Sequence, residues 1–479
     1  MVPAAVLLLG TIGSIGCPRQ SARGEDSTSR PNILFFLTDN QRWDMMGAAG
    51  NPIIQTPNMD KMAAAGVRLA NAFVTTPICA ASRASILTGL YRRRHQFTFL
   101  EPPLRSEFTN ISYPRLLRDS GYRTGYVGKF GIESHGELLV ENECQTLEKM
   151  FDYFDNFEHW GVTGPAGYFA QQPDGSLKHL TDVTADKAIK FLRDYGSDQP
   201  FCLTVSFNAP HAQDNDPRQY IWPEGLDHLY QSATIPVPPT ADPAFFVSLP
   251  DFIKNSEGRK RWAKRFDTPE KFQRMMKGMY RMVSGVDRSI GRILEEMKTL
   301  KIDRNTIILF TSDNGMLFGE RGLSDCWLLY DDSIRVPFVV FDPRAPEGRR
   351  GITVEQMVLN IDIAPTILEL AGLEPPVQTQ GHSLVRLLNG EQPVWRKDFL
   401  CEHFFQTPGI RIPPSEGVRT ERWKYIRYFG QQPLHEELYD LHNDKMETHN
   451  LANEPKFSRQ LNELRKKCDR IVDQVRART

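Results

Sequence analysis

The chain has 479 residues, of which 40% are hydrophobic, 10% aromatic and 24% charged. This composition is typical of an ordinary globular protein and excludes fibrous and disordered classes. The length exceeds the roughly 250 to 300 residues at which one hydrophobic core stops growing, so we expect more than one packing unit. The 58 Lys and Arg nearly cancel the 59 Asp and Glu, which argues against a nucleic-acid partner because such proteins carry a basic excess.

The chain begins with an apolar segment, residues 2–16, which is too short to span a bilayer and is followed by residues rich in Ser, Arg and Glu. This pattern predicts a signal peptide and a flexible leader over residues 1–30, an exported (periplasmic or secreted) protein and no membrane span. Cys17 follows Gly16, so lipoprotein anchoring is the less favoured alternative, because Ser14 stands where a lipobox prefers a branched aliphatic residue. The seven cysteines are scattered singly and predict no disulfide framework.

Strand and helix patterns alternate after the leader. Residues 32–38 (NILFFLT) form a continuous apolar run, as a fully buried parallel strand requires. Further predicted strands span residues 67–73, 125–127, 201–207, 306–311 and 336–341, and predicted helices follow Thr56-Pro57 and span residues 183–195, 272–298 and 362–371. The alternation predicts an α/β fold with a large, mostly parallel sheet flanked by helices.

The C-terminal part has a different pattern. Proline-containing residues 374–380 precede a half-buried strand pattern at 423–429 (WKYIRYF), and a charged amphipathic helix is predicted over 454–478. We therefore predict a domain boundary near residue 375. The α/β domain covers residues 31–375, and a smaller C-terminal α+β subdomain with antiparallel strands and a terminal helix covers residues 376–479.

Polar residues follow four of the predicted strands, and ligands bind beyond the carboxyl ends of the strands in open parallel sheets. These residues are Asp39, Asn40, Lys129, His211, Asp313 and Asn314. Carboxylate and amide oxygens suit calcium or magnesium better than zinc, so the two Asp-Asn pairs are candidate metal ligands. The alternative for either pair alone is that Asp and Asn cap a turn or a helix.

Cys79 lies in a segment, residues 77–83, that leads into a predicted helix. A cysteine at a helix N-terminus lies where backbone N–H groups and the helix dipole favour an anion. On these grounds Cys79 is either a reactive thiol nucleophile or a small buried residue.

The residues around Cys79 carry a specific motif. CAASR followed by ASILTG matches C-x-[PA]-S-R-x-x-x-L-T-G, so the chain resembles the type I, formylglycine-dependent sulfatases of the alkaline phosphatase superfamily. The resemblance continues in RPNILFFLTDNQRWD, GYRTGYVGK, SDNGMLFGERGL and ELYDL. It implies a sulfuric ester hydrolase with an alkaline phosphatase-like fold and a smaller C-terminal subdomain.

The resemblance also implies a mechanism in which a maturation enzyme oxidises Cys79 to formylglycine. One hydroxyl of the hydrated aldehyde attacks sulfur, the alcohol leaves, and deprotonation of the second hydroxyl expels sulfate. In such a site Arg83 orients the diol, Lys129 contacts sulfate and diol, and His211 protonates the leaving oxygen. Calcium, rather than magnesium, is bound by an oxygen of residue 79 together with Asp39, Asn40, Asp313 and Asn314.

Three positions depart from the usual pattern of this family. Asn40 stands where many relatives carry a second Asp, which lowers the ligand charge but leaves an oxygen donor. Gly131 replaces the His of the usual G-K-W-H run, and His135 is a weak candidate to take over its role. Cys326 stands where relatives commonly carry a sulfate-contacting Lys. We expect these changes to affect rate and substrate preference more than reaction type.

A sulfated saccharide is the expected substrate. The basic stretch 92–95 (Arg-Arg-Arg-His) and the many Lys and Arg residues of 254–281 suggest electrostatic steering of a polysaccharide, although such runs are more often solvated faces. His403 is a candidate for a sugar subsite. The alternatives are a phosphate mono- or diester hydrolase of the same superfamily and a noncatalytic sulfated-glycan binding protein.

Overall fold

The computed structural model describes residues 30–99, 104–132, 149–157, 167–196 and 198–477. The predicted signal peptide, Cys17 and His135 lie outside the described residues, so the expectations about them stay predictions. Within the described ranges no helix is long and apolar enough to cross a membrane.

The strands of the described residues are β1 (Asn32–Thr38), β2 (Val67–Phe73), β3 (Arg123–Gly128), β4 (Tyr153–Asn156), β5 (Phe169–Gln171), β6 (Leu177–His179), β7 (Phe201–Ser206), β8 (Thr306–Ser312), β9 (Leu317–Phe318), β10 (Ser324–Asp325), β11 (Arg335–Val336), β12 (Phe338–Phe341), β13 (Ile352–Leu359), β14 (Asp398–His403), β15 (Ser415–Thr420), β16 (Trp423–Tyr428) and β17 (His435–Asp440). The helices are α1 (Pro57–Ala65), α2 (Cys79–Thr88), α3 (Arg92–His95), α4 (Ser106–Thr109), α5 (Tyr113–Asp119), α6 (Leu180–Tyr195), α7 (Pro243–Ser248), α8 (Asp251–Lys254), α9 (Glu257–Arg265), α10 (Pro269–Thr299), α11 (Asp331–Ile334), α12 (Ile363–Leu370), α13 (Val385–Leu388) and α14 (Ser458–Ala477). Short 3-10 helices complete the described elements.

Nine strands form the large sheet. β8, β1, β7, β3 and β4 lie side by side and run parallel. On the other side of β8, β12 pairs antiparallel with both β8 and β2, and β13 pairs parallel with β2. β11 also pairs antiparallel with β2, so only β11 and β12 run against the rest. The predicted mostly parallel sheet is therefore confirmed.

The predicted strand at residues 336–341 differs from the structure in two ways. It is divided into β11 and β12 at Pro337, and both parts are antiparallel to their neighbours. Proline has no N–H to donate to a strand pairing, which accounts for the break.

Both faces of the sheet are buried. Ile33, Phe35 and Leu37 of β1 point into one hydrophobic cluster, which also includes side chains of α2, α5 and α12. Leu34 and Phe36 point into a second cluster, which includes side chains of α6 and α10. Successive side chains of a strand point to opposite faces, so a strand covered on both faces reads as a continuous apolar run.

The C-terminal part contains a four-stranded antiparallel sheet, β14 to β17 in sequence order, against which α14 packs. Phe399 of β14 packs on Phe73 of β2 with the ring centroids 5.2 Å apart. The hydrophobic cluster that contains Phe73 continues through this small sheet. The antiparallel strands and the terminal helix follow the predicted pattern, while the boundary near residue 375 stays a prediction.

The contact between Phe399 and Phe73 leads to a prediction of how much the packing of the small sheet on the large sheet contributes to the free energy of unfolding. Phe399 is 1% exposed, so Phe399→Ala should lower the free energy of unfolding by about 3 to 5 kcal/mol, through lost burial and a residual cavity. Chemical denaturation measures this change. Val394→Ala is the control, because Val394 is fully exposed and its truncation should change stability by less than about 0.5 kcal/mol. Equal effects of the two substitutions would contradict the prediction.

Candidate active site

The ends of β1 and β8 bring the two Asp-Asn pairs together. Thr38 and Ser312 are paired across the two strands, and the Asp313 N–H donates to the Thr38 carbonyl at 3.0 Å. The Asn40 N–H in turn donates to Asp313 Oδ1 at 3.1 Å. Asn40 has a φ of 67°, a left-handed conformation that Asn tolerates better than most residues. The backbone itself therefore places the two pairs side by side, as the sequence predicted.

Cys79 lies against both carboxylates. It is the first residue of α2, which is buried along its whole length. Its Sγ and one carboxylate oxygen each of Asp39 and Asp313 lie within 4.8 Å of one another. The Ser82 hydroxyl, one turn into the helix, donates to the Asp313 carbonyl at 2.5 Å and so joins α2 to the end of β8.

Arg83 connects three parts of the site. Its Nε donates to Asp313 Oδ2 at 2.8 Å. Its Nη1 donates to the Lys129 carbonyl and to the Ser206 hydroxyl, both at 2.6 Å. Its Nη2 lies 3.8 Å from Asp39 Oδ2 and is buried without a hydrogen-bond partner among the described residues. Ser206 was not singled out in the sequence, because it lies inside the predicted strand 201–207, whereas the strand-end rule considers only the residues that follow a strand.

Lys129 is the second buried cation of the site. Its Nζ donates to Asp39 Oδ2 at 2.5 Å. Burial alone would raise the pKa of Asp39, but Lys129, His211 and Arg83 outweigh it and lower that pKa to about 2. Burial and the neighbouring Asp39 charge raise the pKa of Asp313 to about 6. The two carboxylates and two cations balance one another in charge.

His211 lies beyond the end of β7 in a buried position. Its Nδ1 is 2.6 Å from the Ala212 carbonyl, which can only accept, so the proton of the neutral ring is on Nδ1 and Nε2 is the basic nitrogen. The Tyr168 hydroxyl donates to the His211 carbonyl at 2.6 Å and fixes the backbone. Burial lowers the pKa of His211, although Asp39 raises it in part.

Neither Gly131 nor Cys326 contributes a cation to the described part of the site. Gly131 has a φ of +69°, and a Cβ added there would lie 2.9 Å from the Arg83 Cδ, so a histidine at this position would displace Arg83. Cys326 is a buried residue whose thiol pKa is raised by burial and by Asp325. It lies between Asp325 and Trp327, which adopt positive φ values of 92° and 40°.

One of the arginines in the basic stretch at 92–95, Arg93, is not a free surface cation. Arg93 pairs with Glu402 at 2.8 Å and also with Glu416. Both Arg92 and Arg93 lie over the Phe404 ring. The steering hypothesis for this stretch is therefore wrong as far as Arg93 is concerned, because its charge is already compensated.

Burial and pairing limit a second sequence hypothesis and correct a third. Of the basic residues in 254–281, Arg261 and Arg265 are paired with Asp214 and Asp325 inside the protein. They cannot attract a polysaccharide as free charges. His403 is completely buried in β14, and burial lowers its pKa to about 3. A sugar subsite at His403 is therefore wrong.

The oxygen atoms of the two Asp-Asn pairs fit a hard divalent cation. Asp39 Oδ1 and Asn314 Oδ1 are buried and have no hydrogen-bond partner among the described residues. The Asn314 side-chain N–H donates to Asn40 Oδ1. This contact orients the Asn314 Oδ1 away from Asn40. Buried acceptors without donors are rare in folded proteins, and oxygen-only sets suit calcium or magnesium.

Comparison with known proteins agrees with this geometry. A sulfatase family model matches residues 31–373, and a model described as N-sulphoglucosamine sulphohydrolase, C-terminal, matches residues 319–474. The chain is 27% identical to an N-acetylglucosamine-6-O-sulfatase of Bacteroides thetaiotaomicron, over 96% of this chain and 89% of that protein. It is 26% identical to an ulvan-active sulfatase of Formosa agariphila, over 99% of this chain and 88% of that protein.

Solved structures share the fold. One is a protein in complex with its substrate D-glucosamine-2-N,6-O-disulfate, with a TM-score of 0.75, 24% identity, and coverage of 93% of this chain and 98% of the other. Another is a phosphonate monoester hydrolase of Agrobacterium radiobacter, with a TM-score of 0.77, 24% identity, and coverage of 93% and 96%. Because the sulfatase model covers well over half of the chain, this protein belongs to the sulfatase family of the alkaline phosphatase superfamily and is a sulfuric ester hydrolase.

Proposed function

We propose that this enzyme hydrolyses a sulfate ester of a carbohydrate with a formylglycine made from Cys79 and a calcium ion bound beside it. The observation that carries the proposal is the meeting of Cys79, Asp39 and Asp313 within 4.8 Å, next to two buried cations. The named activities of the relatives support a carbohydrate substrate, since they include an N-acetylglucosamine-6-O-sulfatase and an ulvan-active sulfatase.

Asp39, Asn40, Asp313 and Asn314, with an oxygen on residue 79, would bind the calcium ion. The buried acceptors Asp39 Oδ1 and Asn314 Oδ1 support this assignment. The charges of Arg83 and Lys129 are already matched by Asp39 and Asp313. A bound divalent cation therefore supplies the positive charge that attracts the sulfate ester and stabilises charge on its oxygens.

The environment of Cys79 favours formylglycine over a thiolate nucleophile. Burial, together with Asp39 and Asp313, raises the pKa of the Cys79 thiol to about 12, even though Lys129 and Arg83 oppose the shift. Only the thiolate is a strong nucleophile, so an unmodified Cys79 would be nearly inert at neutral pH. A formylglycine at this position supplies a hydroxyl nucleophile at the N-terminus of α2 once the aldehyde is hydrated.

Three side chains would act on the substrate. The buried Arg83 Nη2 lacks a hydrogen-bond partner among the described residues and can donate to the substrate anion or to residue 79. Lys129 donates to Asp39 Oδ2, which places its ammonium group beside a carboxylate that would bind the calcium ion. Because the Nδ1 of His211 is directed at the Ala212 carbonyl, protonated His211 would donate from Nε2 to the leaving oxygen, and its lowered pKa makes it a stronger acid.

The phosphate ester alternative rests on the fold shared with a phosphonate monoester hydrolase. A sulfate monoester carries one charge fewer than a phosphate monoester dianion. Because Arg83 and Lys129 are matched by Asp313 and Asp39 and Cys326 stands in place of a further lysine, the metal would be the main source of net positive charge, and such a site favours the less charged substrate. Parallel assays with an aryl sulfate and an aryl phosphate distinguish the two activities, and mass spectrometry of the Cys79 peptide distinguishes an enzyme from a noncatalytic glycan binder.

Replacement of the nucleophile tests the proposal directly. Cys79→Ser, or expression without a maturation enzyme, should lower kcat/KM for an aryl sulfate by about 1,000-fold or more, because the nucleophile is lost. The melting temperature should change by less than about 2 °C, because the exchange is nearly isosteric. Undiminished sulfatase activity of either preparation would refute the mechanism.

The reactivity of unmodified Cys79 should depend steeply on pH. Since its pKa is raised to about 12, the thiolate fraction at pH 8 is on the order of 1,000-fold lower than for an exposed cysteine, and alkylation should accelerate about tenfold per pH unit. Iodoacetamide labelling of protein made without the maturation enzyme, followed by mass spectrometry, measures the rate. The same peptide labelled in urea is the control, and equal rates in folded and unfolded protein would contradict the prediction.

Ligand charge should limit calcium affinity. Asn40→Asp adds a carboxylate to the site, so we expect calcium to bind about tenfold more tightly by titration calorimetry. The metal-free variant should be less stable by about 1 to 3 kcal/mol, because a third buried negative charge joins Asp39 and Asp313. Asn32→Asp is the matched control at the opposite end of β1, and it should leave calcium affinity unchanged. Equal calcium affinities of Asn40→Asp and the unaltered protein would remove Asn40 from the ligand set.

A further inference from the structure

The loop that follows His211 is attached to a distant segment by two arginines of α9. Residues 212–219 form a closed loop, in which Gln213 and Gln219 make an isolated β-bridge. The Gln219 side chain donates to the carbonyls of Gln213, Asp214 and Asp216 inside this loop. The loop is therefore a compact unit whose position depends on what contacts Gln219 and Asp214.

Arg265 makes those contacts. Its Nε donates to Gln219 Oε1 at 2.9 Å and its Nη2 to Asp214 Oδ1 at 2.5 Å. Its Nη1 donates to Ser324 Oγ at 3.2 Å and to Asp325 Oδ2 at 3.1 Å. One guanidinium group thus bonds two acceptors in the His211 loop and two in the segment 324–327. We call Asp214, Arg261, Arg265 and Asp325 the Arg265 cluster.

Arg261 completes the cluster and extends it toward residue 79. Its Nη1 pairs with Asp325 at 2.6 Å and with Asp214 at 2.7 Å. Its guanidinium carbon lies 4.8 Å from the centroid of the Trp327 ring. The backbone N–H of Trp327 donates to the carbonyl of Pro77 at 3.2 Å, and Pro77 lies two residues before Cys79. A continuous series of contacts therefore runs from the His211 loop to the segment that carries the nucleophile.

Because the charges of the Arg265 cluster are buried, loss of any one member would leave an unpaired buried charge and lower the stability of the protein. The side chains of Arg265 and Asp325 are 1% and 3% exposed. Desolvation of buried ions often offsets their attraction, so such pairs contribute more to fixing one geometry than to stability. The left-handed conformations of Asp325 and Trp327 also require surrounding contacts to maintain them. Two arginines and two aspartates leave no net charge, so the cluster does not replace the lysine missing at Cys326.

We propose that Arg265 is a positioning residue that acts through His211, because it fixes the loop of the proton donor relative to the segment 324–327, which contacts the chain just before the nucleophile at Pro77. This proposal rests on the sulfatase mechanism above and deepens it. The Arg265 cluster would set how well the imidazole reaches the leaving oxygen. Substrates with poor leaving groups need that proton most, so the contribution of Arg265 should depend on the leaving group.

Arg265→Met tests this dependence. We expect kcat for a sugar sulfate, whose alkoxide leaves poorly, to fall about 100-fold through misplacement of the acid. For 4-nitrophenyl sulfate, whose leaving group needs little protonation, the loss should stay below about fivefold. In a His211→Ala background the same substitution should have little further effect on either ester. Arg265→Lys keeps the charge but not the four-way contact, so it should fold and recover part of the loss.

Lys424→Met is the matched control. Lys424 is also a buried cation that binds two carboxylates, Asp331 at 2.5 Å and Glu447 at 2.6 Å, but in the C-terminal sheet. It should lower both activities equally or not at all. Equal losses for the two esters in Arg265→Met and Arg265→Lys, or an undiminished effect in the His211→Ala background, would overturn the proposal.

Hydrogen exchange separates failure of this proposal from failure of the proposed function. If the unaltered protein cleaves neither ester, the sulfatase mechanism fails. The role of Arg265 is then tested by the hydrogen-exchange rates of the backbone amides of residues 212–219. These amides should exchange at least about tenfold faster in Arg265→Met than in Lys424→Met. Exchange rates that match in the two variants would show that Arg265 does not position the loop.

Discussion

The pairing of β1 with β8 is the constraint on which the site depends. This pairing sets Asp39 and Asp313 side by side in a buried position, where two negative charges repel each other strongly. The arrangement is tolerable because Arg83 contacts Oδ2 of Asp313 and Lys129 contacts Oδ2 of Asp39. Four separate parts of the chain, β1, α2, β3 and β8, must therefore meet before the site has any stability of its own.

Backbone contacts give the site its precision. The Phe207 N–H donates to the Leu37 carbonyl and the Lys129 N–H to the Ser206 carbonyl, so the residues that follow β1, β3 and β7 start from fixed positions. Both faces of the sheet are covered by hydrophobic side chains, which keeps water away from the charged groups and strengthens their interactions. Functional groups at strand ends are more exactly placed than groups on long loops.

Much of the fold could be predicted because the central strands are buried on both faces. β1 and β8 appear in the sequence as continuous apolar runs, and the residues after them are the ones that meet in the structure. The direction of β12 could not be predicted, because its pairing partner is not encoded in its local pattern. His403 was misjudged because the sequence analysis predicted no strand around it, whereas β14 buries it completely. The Arg265 cluster was missed because its ion pairs join residues about 50 to 65 positions apart, and no sequence motif marks these pairs.

The contact between Gly131 and Arg83 has an evolutionary consequence. Position 131 combines a left-handed backbone with the Arg83 Cδ 2.9 Å from an added Cβ, so an imidazole regained there would require Arg83 to move as well. That movement would disturb the guanidinium contacts to Asp313, Lys129 and Ser206. The two sites are thus epistatic, and divergence at position 131 is difficult to reverse.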